Sequence, residues 1–101
     1  MTDRLDQSKA MARDARLSIQ EWLTDPDAQY TQQINGKPSE IGVCVTLLAE
    51  KLDMAQPTVS RHLELLRRAG FITFDKQGRW SFFRRDERAI ADYKAWINEH
   101  L

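Results

Sequence analysis

Cysteine, net charge and long apolar runs are all scarce in this chain of 101 residues. The single cysteine, Cys44, excludes an internal disulfide and any multi-thiolate zinc site within one chain. No stretch of 18 apolar residues exists, so no membrane-spanning helix is expected. The polar start Met1-Thr2-Asp3-Arg4 has no secretory character, and a cytoplasmic location without a membrane partner follows as the expectation. Repeats and low-complexity tracts are absent, which points to a single domain over 1–101. Catalytic groupings are missing too: Ser60 and His62 lie close in sequence, but residues two apart on a helix do not face each other. An enzyme is not expected, and no cofactor is implied.

Lys/Arg and Asp/Glu balance at 15 each, which at first argues against a nucleic-acid partner. The distribution argues for one. Residues 56–88 hold eight Lys/Arg against four Asp/Glu, a net of +4, whereas residues 1–55 hold six against nine, a net of −3. A local basic field attracts phosphates whatever the sum over the whole chain.

Within the basic stretch, residues 55–70 read as a short amphipathic helix. Val59, Leu63 and Leu66 recur at i, i+4 and i+7 and point into a core, while Pro57, Thr58, Ser60, Arg61, Glu64 and Arg68 fall opposite. Pro57 suits a first turn, where its missing N–H is not needed, and Gly70 ends the helix. Short hydrogen-bonding side chains near the N-terminus of an exposed helix are what a major groove accepts. Thr46 to Leu52 reads as a preceding, well-buried helix after a short strand at Ile41 to Val45. The brief Asp53-Met54-Ala55 link then makes a helix-turn-helix over about 46–69. Phe71 to Phe74 and Trp80 to Arg84 flank Asp75-Lys76-Gln77-Gly78-Arg79, a β-hairpin with two basic side chains near its tip, giving a wing over 71–85.

At the ends, a helix is expected over 8–24, broken by Asp25-Pro26, and another over 86–100. Asp27 to Ile34 suits a short helix, and Asn35-Gly36 and Lys37-Pro38 signal turns. The terminal helices carry broad apolar faces, with Ile19 and Trp22 on the first and Ile90, Tyr93, Trp96 and Ile97 on the last. These faces either cover the central core or also pack against a second copy. At roughly 25 cal/mol per Å², two facing aromatic helices drive association readily.

The run from Leu48 through Gln56-Pro57-Thr58-Val59-Ser60-Arg61-His62-Leu63 to Leu66-Arg67-Arg68-Ala69-Gly70-Phe71-Ile72, with Gly78-Arg79-Trp80 and Phe82-Phe83-Arg84, resembles the ArsR/SmtB family of winged-helix transcriptional repressors. The resemblance is close over residues 43–85. It implies a mostly α fold with a small β-hairpin, a winged helix-turn-helix, dimeric through its terminal helices. It also implies a repressor that binds double-stranded DNA at an operator palindrome as a homodimer. Carried over by position, Gln56, Thr58, Ser60, Arg61 and His62 are the candidates for groove and phosphate contacts, and Lys76 and Arg79 would serve the wing. The chemistry agrees: Gln56 suits adenine, the two hydroxyls suit base edges, and Arg61 reaches a guanine edge or a phosphate. His62 lies at the rim of the apolar face, either as a phosphate contact or as a packed structural residue.

Two departures stand out. Asp53 occupies a turn position where relatives often have Gly, and Ala55 replaces a capping Ser. The family's metal sites look absent. Cys44-Val45-Thr46 lacks the second thiolate of a Cys-Val-Cys segment, and Asp86 is followed by Arg88 where a His would stand, with only His100 beyond. Cys44 reads as a buried apolar residue, no metal site is assigned, and segment 25–42 is where another effector or partner would act. The competing functional reading is a winged-helix protein-interaction module without DNA binding. An apolar outer face on the 55–70 helix would favour that reading, and only Leu65 interrupts its polarity.

Overall fold

The structure is a computed structural model that describes residues 3–29 and 37–101. Its elements run α1 (Arg4–Met11), α2 (Asp14–Trp22), α3 (Pro26–Gln29), α4 (Pro38–Ile41), β1 (Val43–Cys44), α5 (Val45–Leu52), α6 (Gln56–Arg68), β2 (Ile72–Gln77), β3 (Trp80–Arg85) and α7 (Glu87–His100). The predicted turn at Asn35-Gly36 and most of the predicted helix from Asp27 to Ile34 lie outside the described residues.

The helix expected over 8–24 is two helices. Helix α1 starts earlier, with the Asp3 carboxylate accepting the Leu5 N–H at 3.0 Å. It ends at Met11, and Arg13 is extended (φ −139°, ψ 134°) before α2 begins. The break is held from within the fold. The Arg16 guanidinium donates from Nε to the Ala10 carbonyl at 2.6 Å and from Nη2 to the Lys9 carbonyl at 3.2 Å. A cation on the last carbonyls of a helix satisfies groups that would otherwise have no partner and opposes the negative end of its dipole.

Helices α5 and α6 are joined as the sequence suggested. Asp53 is left-handed (φ 54°, ψ 48°), the Met54 N–H reaches the Ala49 carbonyl at 3.1 Å and the Asp53 N–H reaches that of Glu50 at 3.2 Å. These paired bonds are a Schellman closure, and an Asp tolerates the left-handed position better than most side chains. The same closure ends α6, with Gly70 at φ 85° in the position where Asp53 sits in α5. No side chain caps the start of α6 at Ala55.

The strand and the hairpin form one antiparallel sheet in the order β1-β3-β2, with Val43 opposite Phe83 and Cys44 opposite Phe82. Gly42 (φ 93°) lets β1 approach so closely that a Cβ there would lie 2.8 Å from the Phe83 carbonyl oxygen. The ladder between β2 and β3 continues to Gln77 opposite Trp80, leaving Gly78-Arg79 as a two-residue turn. Asp75, Lys76 and Gln77, expected in a loop, are therefore strand, and the wing is ordered almost to its tip.

Val59, Leu63 and Leu66 of α6 are fully enclosed, together with Ile19, Leu48, Val43, Phe71, Ile72 and Phe82. Phe71 joins the layers: its ring meets Tyr93 edge-on at 5.1 Å, and its carbonyl accepts the Asp86 N–H at 2.8 Å. Asp86 in turn caps α7, accepting the Ala89 N–H on its carboxylate. Tyr93 shares a 2.8 Å hydrogen bond with Ser8, and Arg4 pairs with Asp92 at 2.9 Å while lying over the Trp96 ring. The terminal helices thus pack on one another within a single chain.

That packing corrects part of the expected dimer face. Ile19, Ile90 and Tyr93 are buried in the chain's own core and have almost no surface left to give to a partner. Trp22, Trp96 and Ile97 stay half-buried, and Leu5 and Leu17 add exposed apolar surface on α1 and α2.

Candidate nucleic-acid interface

Helix α6 stands over the core on its aliphatic ridge and turns its other side to solvent. Gln56, Thr58, Ser60 and Arg61 are all exposed, so the chain itself covers none of them. At 100° per residue they separate into two flanks. Gln56 and Ser60, at i and i+4, share the flank nearest the wing. Thr58 lies on the far flank beside α2, and Arg61 projects from between the two.

Each flank opens onto a hollow. The first, about 280 Å³, brings Gln56 and Ser60 together with Arg79, Trp80 and Ser81 of the hairpin. Helix α6 and the hairpin therefore present one continuous surface. The Arg79 guanidinium lies 5.4 Å from the centre of the Trp80 ring, a cation–π geometry that restrains its direction. Trp80, part of the Gly78-Arg79-Trp80 wing motif but not among the candidate contacts, takes its place in this surface from the register of the turn. Lys76 is exposed on β2, further from the tip than expected.

The second hollow, about 360 Å³, is lined by Arg13, Arg16, Thr58, Arg61, His62 and Leu65. His62 is here a packed residue, 8% exposed, with Nδ1 3.0 Å from Nη1 of Arg16. A guanidinium can only donate, so Nδ1 accepts and the ring is neutral with its proton on Nε2. Of the two readings of His62, the structure matches the packed one and separates this residue from the exposed set. Burial first, then Arg16, Arg13 and Arg61, hold its pKa below the ordinary histidine value.

This arrangement has a pH consequence. In the unfolded chain His62 titrates near pH 6.5, whereas the folded ring takes up its proton only at lower pH. Between those points the unfolded state binds more protons, so stability is complete above about pH 6.5 and declines as pH falls through this window. Urea unfolding of wild type and His62→Gln at pH 7.5 and 5.5 should show a smaller pH decrement in the variant. Equal decrements would contradict the neutral ring.

Arg67 and Arg68 do not join the exposed set as open cations. Arg67 clasps Glu64 through two hydrogen bonds of 2.9 and 2.6 Å, and Arg68 reaches the same carboxylate at 3.1 Å. The Arg67 hydrogen bond is the main reason the Glu64 carboxyl is held below its usual range. Cys44 is buried at the junction of β1 and α5, and among the described residues no group of three or more His, Cys, Asp or Glu is placed to hold a metal ion.

Residues 43–73 match the family model described as bacterial regulatory protein, arsR family. Over 93 residues the chain is 39% identical to the HTH-type transcriptional regulator YbzH of Bacillus subtilis, covering 92% of this chain and 93% of that protein. The chain belongs to the ArsR family. Its members are transcriptional regulators, not enzymes. The arsenical resistance operon repressor of Escherichia coli is 49% identical over 47 residues, 46% of this chain and 40% of that protein. The fold matches too. The crystal structure of another ArsR family transcriptional regulator superposes with a TM-score of 0.72 at 24% identity, over 97% of this chain and 92% of that one. The mostly helical architecture with its small antiparallel sheet is thus a winged helix-turn-helix of the ArsR type. No described helix is long and apolar enough to cross a membrane.

Proposed function

We propose that this ArsR-family chain is a sequence-specific repressor that binds double-stranded DNA at a palindromic operator as a homodimer. The reading rests above all on α6, which leaves Gln56, Thr58, Ser60 and Arg61 uncovered, with Gln56 and Ser60 beside Arg79 and Trp80 of the hairpin. A helix about 10–12 Å across fits a major groove about 12 Å wide, so this face is the one that enters. Gln56 and Ser60 then address base edges on the wing side, while Arg79 and Lys76 meet backbone or minor groove. The outer face of α6 is polar, with Leu65 half-buried, which favours DNA over a protein-docking role.

Dimerisation would use what the chain leaves uncovered on its terminal helices, namely Trp22, Trp96 and Ile97 with Leu5 and Leu17. Two copies would set their α6 helices in successive major grooves, about one helical turn apart. Cytoplasmic action follows from the same role.

Selection of bound duplexes from random DNA tests the proposal. It should return an imperfect palindrome with a single preferred half-site spacing, bound with an affinity that falls steeply with salt. Enrichment of no sequence, or of an isolated half-site bound by one protomer, would contradict it.

A further inference from the structure

The hollow between α2 and α6 gathers positive charge without a counter-charge. Three guanidiniums, those of Arg13, Arg16 and Arg61, line it, and no carboxylate is among its lining residues. The Arg16 side chain is used inside the fold, by two carbonyls of α1 and by His62. Arg13 and Arg61 are different: both are exposed, and neither side chain has a hydrogen bond or ion pair to any described residue. The contrast with Arg67 and Arg68, both tied to Glu64, makes the arrangement specific to this flank of the helix. Like charges held side by side cost energy that an anion between them would recover.

From this juxtaposition we propose that Arg13 and Arg61, with the Thr58 hydroxyl, bind one phosphodiester of the DNA backbone. The inference rests on the DNA-binding reading of α6 and extends it to a residue outside the helix-turn-helix. Thr58 and Arg61 stand one turn apart on α6, and Arg13 meets them from the extended residue that opens α2. A helix lying in the major groove has a sugar–phosphate strand along each side. The wing serves one side of α6, and this hollow faces the other. Thr58 and Arg61 supply a hydroxyl and a charged donor suited to phosphate oxygens, and Arg13 supplies the second cation. Because Arg16 pins the start of α2 to α6 through His62, Arg13 is delivered at a fixed distance from the recognition helix.

The test compares wild type, Arg13→Ala and Arg13→Lys on the best selected duplex and on an unrelated duplex, each over a salt series. Arg13→Ala should weaken both duplexes by the same factor, roughly 3- to 10-fold near physiological salt, and lower the slope of log affinity against log salt by about one per protomer. Arg13→Lys should recover most of the slope, because it keeps the charge. An unchanged slope, or a loss confined to the selected duplex, overturns the phosphate site while the DNA-binding reading stands. A wild-type protein that binds neither duplex overturns both. Inorganic phosphate, added at constant ionic strength, should not displace the DNA; displacement specific to phosphate would identify a free-anion site and overturn the assignment to the backbone.

Discussion

Arg61→Ala is expected to lower affinity for the selected duplex about 10- to 100-fold, the range set by losing charge-assisted hydrogen bonds of roughly 1.5–3 kcal/mol. Nothing in the fold opposes the substitution. Arg61 is exposed, and among the described residues its side chain has no hydrogen bond or ion pair, so helix content and unfolding midpoint should stay close to wild type. Association of two copies should also persist, because Arg61 lies on α6 and the uncovered apolar surface lies on α1, α2 and α7. The ratio of affinities for selected and unrelated duplexes tests the proposed phosphate contact of Arg61 against a guanine edge, which would overturn it. A preserved ratio means a phosphate, and a collapsed ratio means a guanine edge. With Arg13→Ala introduced as well, the two losses should combine less than additively if both cations hold the same phosphate. Unchanged affinity in Arg61→Ala would show that α6 is not the element that enters the groove.

How much of this surface could be read beforehand depended on the range of the interactions that build it. The face of α6 was legible because its causes are local: three apolar residues at helical spacing, a proline in the first turn and a glycine at the end. The left-handed Asp53 and the uncapped Ala55 were visible for the same reason. The break between α1 and α2 was not. No proline or glycine marks residues 12 and 13, and the apolar periodicity runs through them. What ends α1 is a guanidinium from the next helix, braced by a histidine 46 residues further along. Arg13 lacks a local signature for the same reason: it lies in the net-negative part of the sequence and gains its setting only when α2 meets α6. Ile19, Ile90 and Tyr93 show the complementary limit. Periodicity reveals that a face is apolar but not whether the same chain or a second one covers it, and here the chain's own core does.

Phe71→Ala should cost about 3–5 kcal/mol, a large share of the 5–15 kcal/mol by which a domain is typically stable. The ring is fully enclosed, so truncation leaves a cavity as well as losing transfer free energy. It also removes the edge-on contact with Tyr93, worth about 0.5–1.5 kcal/mol beyond the buried area. Tyr93 is bonded to Ser8 of α1, so the loss loosens α7 against α1 and against the junction that follows α6. Phe71→Leu keeps much of the volume and should cost appreciably less, with the aromatic pair accounting for part of the difference. Urea unfolding at one fixed protein concentration measures both, since a dimer makes apparent stability depend on concentration. The variants should unfold at lower urea with the slope of wild type. A loss below about 1 kcal/mol in Phe71→Ala would mean that the site closes over the missing ring. In that case the terminal helices would owe their position to the Arg4–Asp92 pair and the Trp96 face rather than to this aromatic hinge.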